Sequence, residues 1–403
     1  MKPEKLLDEI GRVDDGLISE AETEQVKLRS IKHTWPRWVS VVAACVAIVL
    51  LAVLVPRSIG NTPELPMLTI GEETGAFGFE GLLAYDISEL QNGNPWTEND
   101  SITSLPVFQN PTTYDTTGYP VHGLSTDEMI QKAKDVATVM GLTIDSIYTN
   151  PTQEDLQKQA EKEQSVPGNE EYEPNSTPFE VVAICGDITI KVEANGAIRI
   201  FFELGVQLPS EYSFTYHDTS EQQAVEVIRY LLKQYSPIVD MQSPALALFG
   251  DYTFHGLRNF SYEAYENSGS LTDRILGFNF NRVRFSPNDD GVLWIIDRHT
   301  EDLSQKIGDY PIISAQEAQE LLLQNHFITT VPESFPGAEY IASVELMYRT
   351  GRGNEVFMPY YRFLVELPSM QQDNGLKTFG AYYVPAVEGR YISNMPLWDG
   401  GFN

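Results

Sequence analysis

The sequence predicts an α+β fold, with tandem helix-plus-antiparallel-sheet units following one N-terminal transmembrane helix. Three observations lead there. Trp38 to Val55 is a run of 18 residues without a charge, enough to cross a bilayer as a helix. Three capping-box signatures, Ser125-x-x-Glu128, Thr219-x-x-Gln222 and Ser314-x-x-Glu317, recur at intervals of 94 and 95 residues. Each opens an amphipathic run, and each run is followed by strand-like segments joined at turn residues, the mark of an α+β chain.

Composition narrows the function classes. The chain has 403 residues, with 27 Lys and Arg against 57 Asp and Glu, a net charge of −30. A hydrophobic fraction of 42% with 11% aromatics supplies the apolar surface that a disordered chain lacks. The charge argues against nucleic acid, whose phosphates are held by Lys and Arg, and against docking onto anionic lipid. Cys45 and Cys185 are the two cysteines, which leaves no disulfide framework and no Cys-rich zinc site.

Residues 1–37 read as a cytoplasmic amphipathic tail. Leu6, Ile10, Val13 and Leu17 recur at i, i+4, i+7 and i+11, a single apolar stripe on a helix that Pro3 would start. So short a helix cannot bury its own stripe, so these four residues are candidate partner-binding positions. Gly11 and Gly16 weaken the helix by roughly 1 kcal/mol each. Asp8, Glu9, Asp14 and Asp15 oppose binding to the anionic inner leaflet. The tail holds seven bases and eight acids, so the charge divides as −1 before the span and −29 after it.

The span 38–55 has Trp35 and Trp38 as interfacial aromatics. Lys27, Arg29, Lys32 and Arg37 precede it closely, whereas residues 58–131 contain neither Lys nor Arg. The positive-inside rule therefore places 1–37 in the cytoplasm and the remainder outside, as a single-pass protein of the cell membrane. A 37-residue leader is too long for the n-region of a cleaved signal peptide. Val42-Ala43-Ala44-Cys45 resembles a lipobox, but ten apolar residues follow where a lipobox cysteine would close the stretch, so Cys45 reads as an ordinary apolar residue. Ser40/Ala44 and Ala43/Ala47 form small-xxx-small pairs that would let a partner's helix approach.

Residues 56–124, rich in Pro, Thr, Asn and Gly, read as a stalk with partial strand content near Phe77–Ile87. The first α+β unit, 125–217, carries an acidic insertion at 153–176 and a hairpin turn at Ala194-Asn195-Gly196. The second, 218–312, turns at Asn288 to Gly291, and the third covers 313–403. Each unit is expected to bury its own core under one helix.

Reaction chemistry is not legible. Six histidines lie far apart, without HExxH or a His–Cys pairing, and no GxSxG, P-loop or strand-linked GxGxxG occurs. Cys185 sits in a strand-like apolar run and reads as core. Asp289 and Asp290 lack calcium-loop spacing and read as a turn. Tyr360, Tyr361, Phe363, Tyr382 and Tyr383 alternate partly along strands, with one face core and the other a candidate binding surface. Core filling is the favoured reading, although Tyr360 and Tyr361 cannot both face inward from a regular strand. No catalytic residue, metal or cofactor is expected.

In its N-terminal span, its helix-plus-meander tandem and its closing strands, the chain resembles the YycH/YycI group of membrane-anchored regulators, and more distantly PepSY-like modules. The specific part of the likeness is Pro359-Tyr360-Tyr361-Arg362 and Tyr382-Tyr383-Val384-Pro385-Ala386. The resemblance implies a non-enzymatic regulator of a sensor kinase, acting through its membrane helix and exported domains. The longer tail and the third unit depart from that group. The tail also resembles the cytoplasmic ends of bacterial membrane proteins, some of them anti-sigma factors, so a sigma factor is the alternative partner. An extracellular ligand- or peptide-binding module is the third reading.

Overall fold

A computed structural model describes residues 65–71, 82–84, 92–115, 118–166, 178–252, 257–329, 331 and 333–400. The tail and the span lie outside the described residues, and with them Leu6, Ile10, Val13, Leu17, Ser40, Ala44, Cys45 and Ala47. No helix among the described residues is long and apolar enough to cross a membrane. The described part is a mixed α+β structure with several antiparallel sheets.

Side-chain caps start five of its six helices. Ser125 opens α1 (Thr126–Val139), its hydroxyl accepting from Glu128 N–H while the Glu128 carboxylate accepts from Ser125 N–H at 2.8 Å. The same reciprocal box, built from Thr152 and Asp155, opens α2 (Gln153–Gln164) inside the acidic insertion, where the sequence suggested only solvated chain. At the next helix, α3 (Glu221–Gln234), the box is one residue later than the signature Thr219-x-x-Gln222. Ser220 and Gln223 form it, and Thr219 is instead buried, its hydroxyl accepting from Thr215 N–H at 2.8 Å. A single turn, α4 (Ser236–Val239), follows. Ser270 with Asp273 caps α5 (Leu271–Phe280), and Ser314 with Glu317 caps α6 (Ala315–Leu323).

Four strands come early in the chain: β1 (Leu82–Ala84), β2 (Ser104–Gln109), β3 (Thr113–Tyr114) and β4 (Pro120–His122). After α1 run β5 (Ser146–Asn150), β6 (Glu180–Cys185), β7 (Ile188–Glu193) and β8 (Ile198–Val206). After α3 run β9 (Pro244–Tyr252), β10 (Arg258–Glu266), β11 (Asn281–Pro287) and β12 (Leu293–Thr300). These two meanders are one sheet of eight strands, in the order β5-β6-β7-β8-β12-β11-β10-β9. The last strand of each meander pairs antiparallel with the last strand of the other, with Ile296 opposite Ile200. The expectation of a separate core for 125–217 and for 218–312 is therefore corrected: the joined sheet carries α1 and α3 over a shared core. Met129, Ala133 and Val136 of α1, Val227, Ile228 and Leu231 of α3, and Ile190, Ile200, Val283 and Ile296 of the strands all belong to it. On the opposite face a cross-strand row runs Lys191, Arg199, Asp297, Arg284, Glu263.

The C-terminal region adds β13 (Lys306–Pro311), β14 (Ile341–Tyr348), β15 (Val356–Phe357), β16 (Pro359–Glu366) and β17 (Phe379–Pro385). One sheet runs β1-β17-β16-β14, and a smaller one runs β13-β2-β15. Strands β16 and β17 are buried on both faces. Tyr361, Phe363 and Tyr382 face a core closed by α5 and α6, while Tyr360, Leu364 and Tyr383 face a second core shared with Val107 and Tyr310. All five aromatics are thus core, as the favoured reading has it, and Tyr360 and Tyr361 are both covered because the small sheet lies over the second face.

The stalk reading is corrected in the same way for the described part of 56–124. Trp96, Leu105, Val107 and Phe108 are buried, and β2 pairs with both β13 and β15. The segment 65–71 is strapped to the far end of the chain. Leu68 N–H donates to Tyr391 O at 2.7 Å, Ser393 N–H donates to Leu68 O at 2.8 Å, and the Asn394 amide bonds both Ile70 N–H and Ile70 O at 2.8 Å.

Candidate functional site

Strand β12 ends where four segments meet, and there the titratable side chains crowd. His299 and Glu301 are two residues apart, so an extended backbone points both to one side. Glu301 N–H donates to Phe280 O at the end of α5, which fixes the backbone, and the Glu301 side chain is only 4% exposed. Its Oε1 lies 3.3 Å from His299 Nε2, and its Oε2 is buried without a hydrogen-bond partner. Lys132 of α1 approaches from the helix layer, crossing Gly196 of the β7–β8 turn. That turn needs glycine twice over: φ is +85°, and a Cβ would sit 3.1 Å from Lys132 Nζ.

Burial dominates the electrostatics. Loss of water pushes the Glu301 carboxyl up to about 7, a rise that Lys132 partly offsets and Asp302 reinforces. Burial, together with the charges of Arg282, Arg298 and Lys132, pushes His299 down to about 4. Lys132 is itself lowered, by desolvation first and then by Arg298. Near neutral pH the imidazole is therefore uncharged and the carboxyl lies near its midpoint, so the 3.3 Å contact between them is not an ion pair.

A separate cavity of about 300 Å³ is lined by Tyr114, Asn150, Phe179, Glu180, Glu193 and Arg352, among others, and Tyr114 is the lining residue that feels the Glu301 charge. The Arg352 guanidinium stands 5.1 Å from the Tyr114 ring and 4.0 Å from Glu193. Burial raises the Tyr114 phenol to about 12, with Arg352 opposing the rise and Glu193 and Glu301 adding to it. Tyr119 stacks on Phe179 at 4.1 Å, and Asn150 and Lys191 both hold Glu180 at 3.0 Å. A carboxyl in the setting of Glu301 can take up or release one proton near neutral pH.

The residues singled out from the sequence are not part of it. The partner-binding candidates of the tail and span lie outside the described residues. Cys185 is buried in the core beneath α1 and α3, and Asp289 and Asp290 lie in the exposed β11–β12 turn, where Asn288 Oδ1 accepts from Asp290 N–H and Val292 N–H. The Glu301 junction was missed, although His299-Thr300-Glu301-Asp302 at a strand end held a signal: alternate titratable residues on one face. No family model matches the chain, and no curated protein matches it.

Proposed function

We propose that the chain is a single-pass, membrane-anchored extracytoplasmic regulator, without enzymatic activity, that acts by contact with a membrane signalling partner such as a sensor kinase. The observation that carries this reading is the charge-free run Trp38 to Val55, with four bases close before it and 74 base-free residues from 58 onward. On this reading the helix-plus-sheet tandem is exported and the tail stays inside. Two structural features support a sensing role. The strap of residues 65–71 against 391–394 ties the start of the described fold to the segment that follows its last strand. The Glu301 junction couples β12 to Lys132 of α1 and to Tyr114 of β3, so a change of charge there is felt by all three.

A photo-crosslinking amino acid at Ser40, Ala44 or Ala47 of the full chain, in native membranes, tests it. An adduct with an integral membrane signalling protein is expected, and replacing Trp38–Val55 by an unrelated apolar helix should abolish both adduct and regulation. Regulation that survives the replacement overturns the reading. The stripe Leu6, Ile10, Val13 and Leu17 favours a second reading, a transmembrane anti-sigma factor. Capture of a sigma factor by residues 1–37, lost on Ile10→Glu, would select it.

A further inference from the structure

A cavity of about 530 Å³ opens between the C-terminal half of α3, the α4 turn and the start of β9, the edge strand of the large sheet. It lies within the range of small-ligand sites, about 300–1,000 Å³. Its floor is apolar: Leu232 and Val239 are buried, and Met241 and Leu246 are half-buried. Its rim is cationic. Arg229 and Lys233 stand one turn apart on α3, both exposed, and neither has an ion-pair partner among the described residues. In a chain whose exterior is so acidic, two adjacent unpaired bases over an apolar floor are an exception.

A third cation lies behind the floor. Arg298 is 7% exposed and donates to three carbonyl oxygens, those of Val239 at 2.8 Å, Arg282 at 3.1 Å and His299 at 2.7 Å. Carbonyl groups satisfy its hydrogens without neutralising its charge, and no carboxylate is within ion-pair distance of it among the described residues. Burial lowers its pKa to about 10 despite the nearby charges of Asp240 and Glu266. Glu266 is already engaged, accepting from the backbone N–H groups of Gln242, Ser243 and Ser268. A buried cation therefore stands behind the floor, and the charges of Asp240 and Glu266 offset it without forming an ion pair with it.

We propose that this cavity binds a single-chain amphiphile with an anionic head, whose carboxylate or phosphate is held by Arg229 and Lys233 and whose aliphatic chain lies on Leu232, Val239, Met241 and Leu246. A bare anion would leave the apolar floor in water, and a neutral alcohol would leave the two cations unpaired. The pairing of both features selects the amphiphile. This site goes beyond the regulatory reading and shares no lining residue with the cavity beside Tyr114.

The test uses the purified full chain in phosphatidylcholine nanodiscs and a decanoate carrying a diazirine at its terminal carbon, with the labelled peptides read by mass spectrometry. Labelling within residues 229–246 is expected, competed by decanoate or lysophosphatidic acid and not by decanol or inorganic phosphate. The stronger of the two competitors identifies the source, a free acid or a lipid. The double variant Arg229→Gln/Lys233→Gln should reduce labelling by about tenfold, the scale of a lost charge-assisted contact. The charge-conserving pair Arg229→Lys/Lys233→Arg should retain labelling, which separates lost charge from lost folding. Labelling elsewhere, labelling unchanged in the glutamine variant, or equal competition by decanol or phosphate overturns the proposal.

Discussion

Glu301 and His299 make opposite demands on pH. In the unfolded chain Glu301 titrates near ~4.3 and His299 near ~6.5. In the fold they titrate at about 7 and about 4. Between ~4.3 and 7 the folded state keeps a Glu301 proton that the unfolded state has lost, so this residue's stabilisation falls as pH rises, by at most ~1.4 kcal/mol per unit. Between ~6.5 and 4 the unfolded state binds a His299 proton that the folded state refuses, so that contribution falls as pH drops. The two slopes oppose one another in the wild type. Glu301→Gln removes one of them: its denaturation midpoint should exceed wild type at pH 8 and decline more steeply than wild type from pH 7 to 5. A midpoint at pH 8 no higher than wild type would show that Glu301 is not held against its charge. A second residue-scale test lies in the C-terminal sheet, where the Arg362 guanidinium bonds the buried Glu345 carboxylate at 2.5 Å and Asn92 Nδ2 donates to the same oxygen at 3.3 Å. Arg362→Met leaves that carboxylate without its cation and should cost about 3–5 kcal/mol in urea denaturation. Arg362→Met/Glu345→Leu together should cost much less.

At the scale of elements, the strength of a strand depends on how many layers press on it. Strand β17 is buried at every position, Phe379 through Pro385. Tyr382→Ala removes a ring held between Phe327 and Phe335, at 5.1 and 5.6 Å, and should destabilise by about 3–5 kcal/mol. Ser125→Ala removes one cap of an amphipathic helix and should cost only about 1 kcal/mol. Reversal of that order in thermal melts would mean that β17 is not the more deeply held element. The comparison also shows what a sequence can disclose about elements. Helix starts are written locally, in a serine and an acid three residues apart, and at Ser125 and Ser314 the signature and the structure agree. At α3, Thr219 and Ser220 are both capping residues with a Gln three positions on, and only the burial of Thr219 decides between them. Both Tyr360 and Tyr361 are core, against the alternation rule, because the layer that covers Tyr360 comes from β2 and β13, about 50 to 250 residues away in sequence. Alternation along a strand reports one covered face and is silent about a second.

For the whole molecule, the α+β class and the helix-then-meander order were legible, whereas the joining of two meanders into one sheet was not. That joining depends on β8 meeting β12, and Arg199 opposite Asp297 or Ile200 opposite Ile296 would read the same on two separate sheets. The Glu301 junction was hidden for the same reason, since Lys132, Arg282 and Tyr114 act on it from distant segments. One prediction follows at this scale: residues 125–312 should unfold together. Hydrogen exchange should give the amides of β6 and β11 the same protection against global opening, and a core strand of one meander exchanging much faster than that of the other would contradict a shared sheet.

The pairing of β8 with β12 also sets a timetable for synthesis. Each meander saves its joining strand for last, and the second arrives 87 residues after the first is complete, from Val206 to Leu293. At about 5–20 residues per second, the newly made β8 waits roughly 4–17 s with one flank of its backbone unclaimed. During that wait it is a template for another nascent copy, and its own sequence supplies the deterrents: Arg199 and Glu203 project charge from the waiting edge, and the glycine at 205, with φ +67°, breaks the run before it ends. The safeguard against chain-to-chain pairing is thus carried by the strand that has to wait.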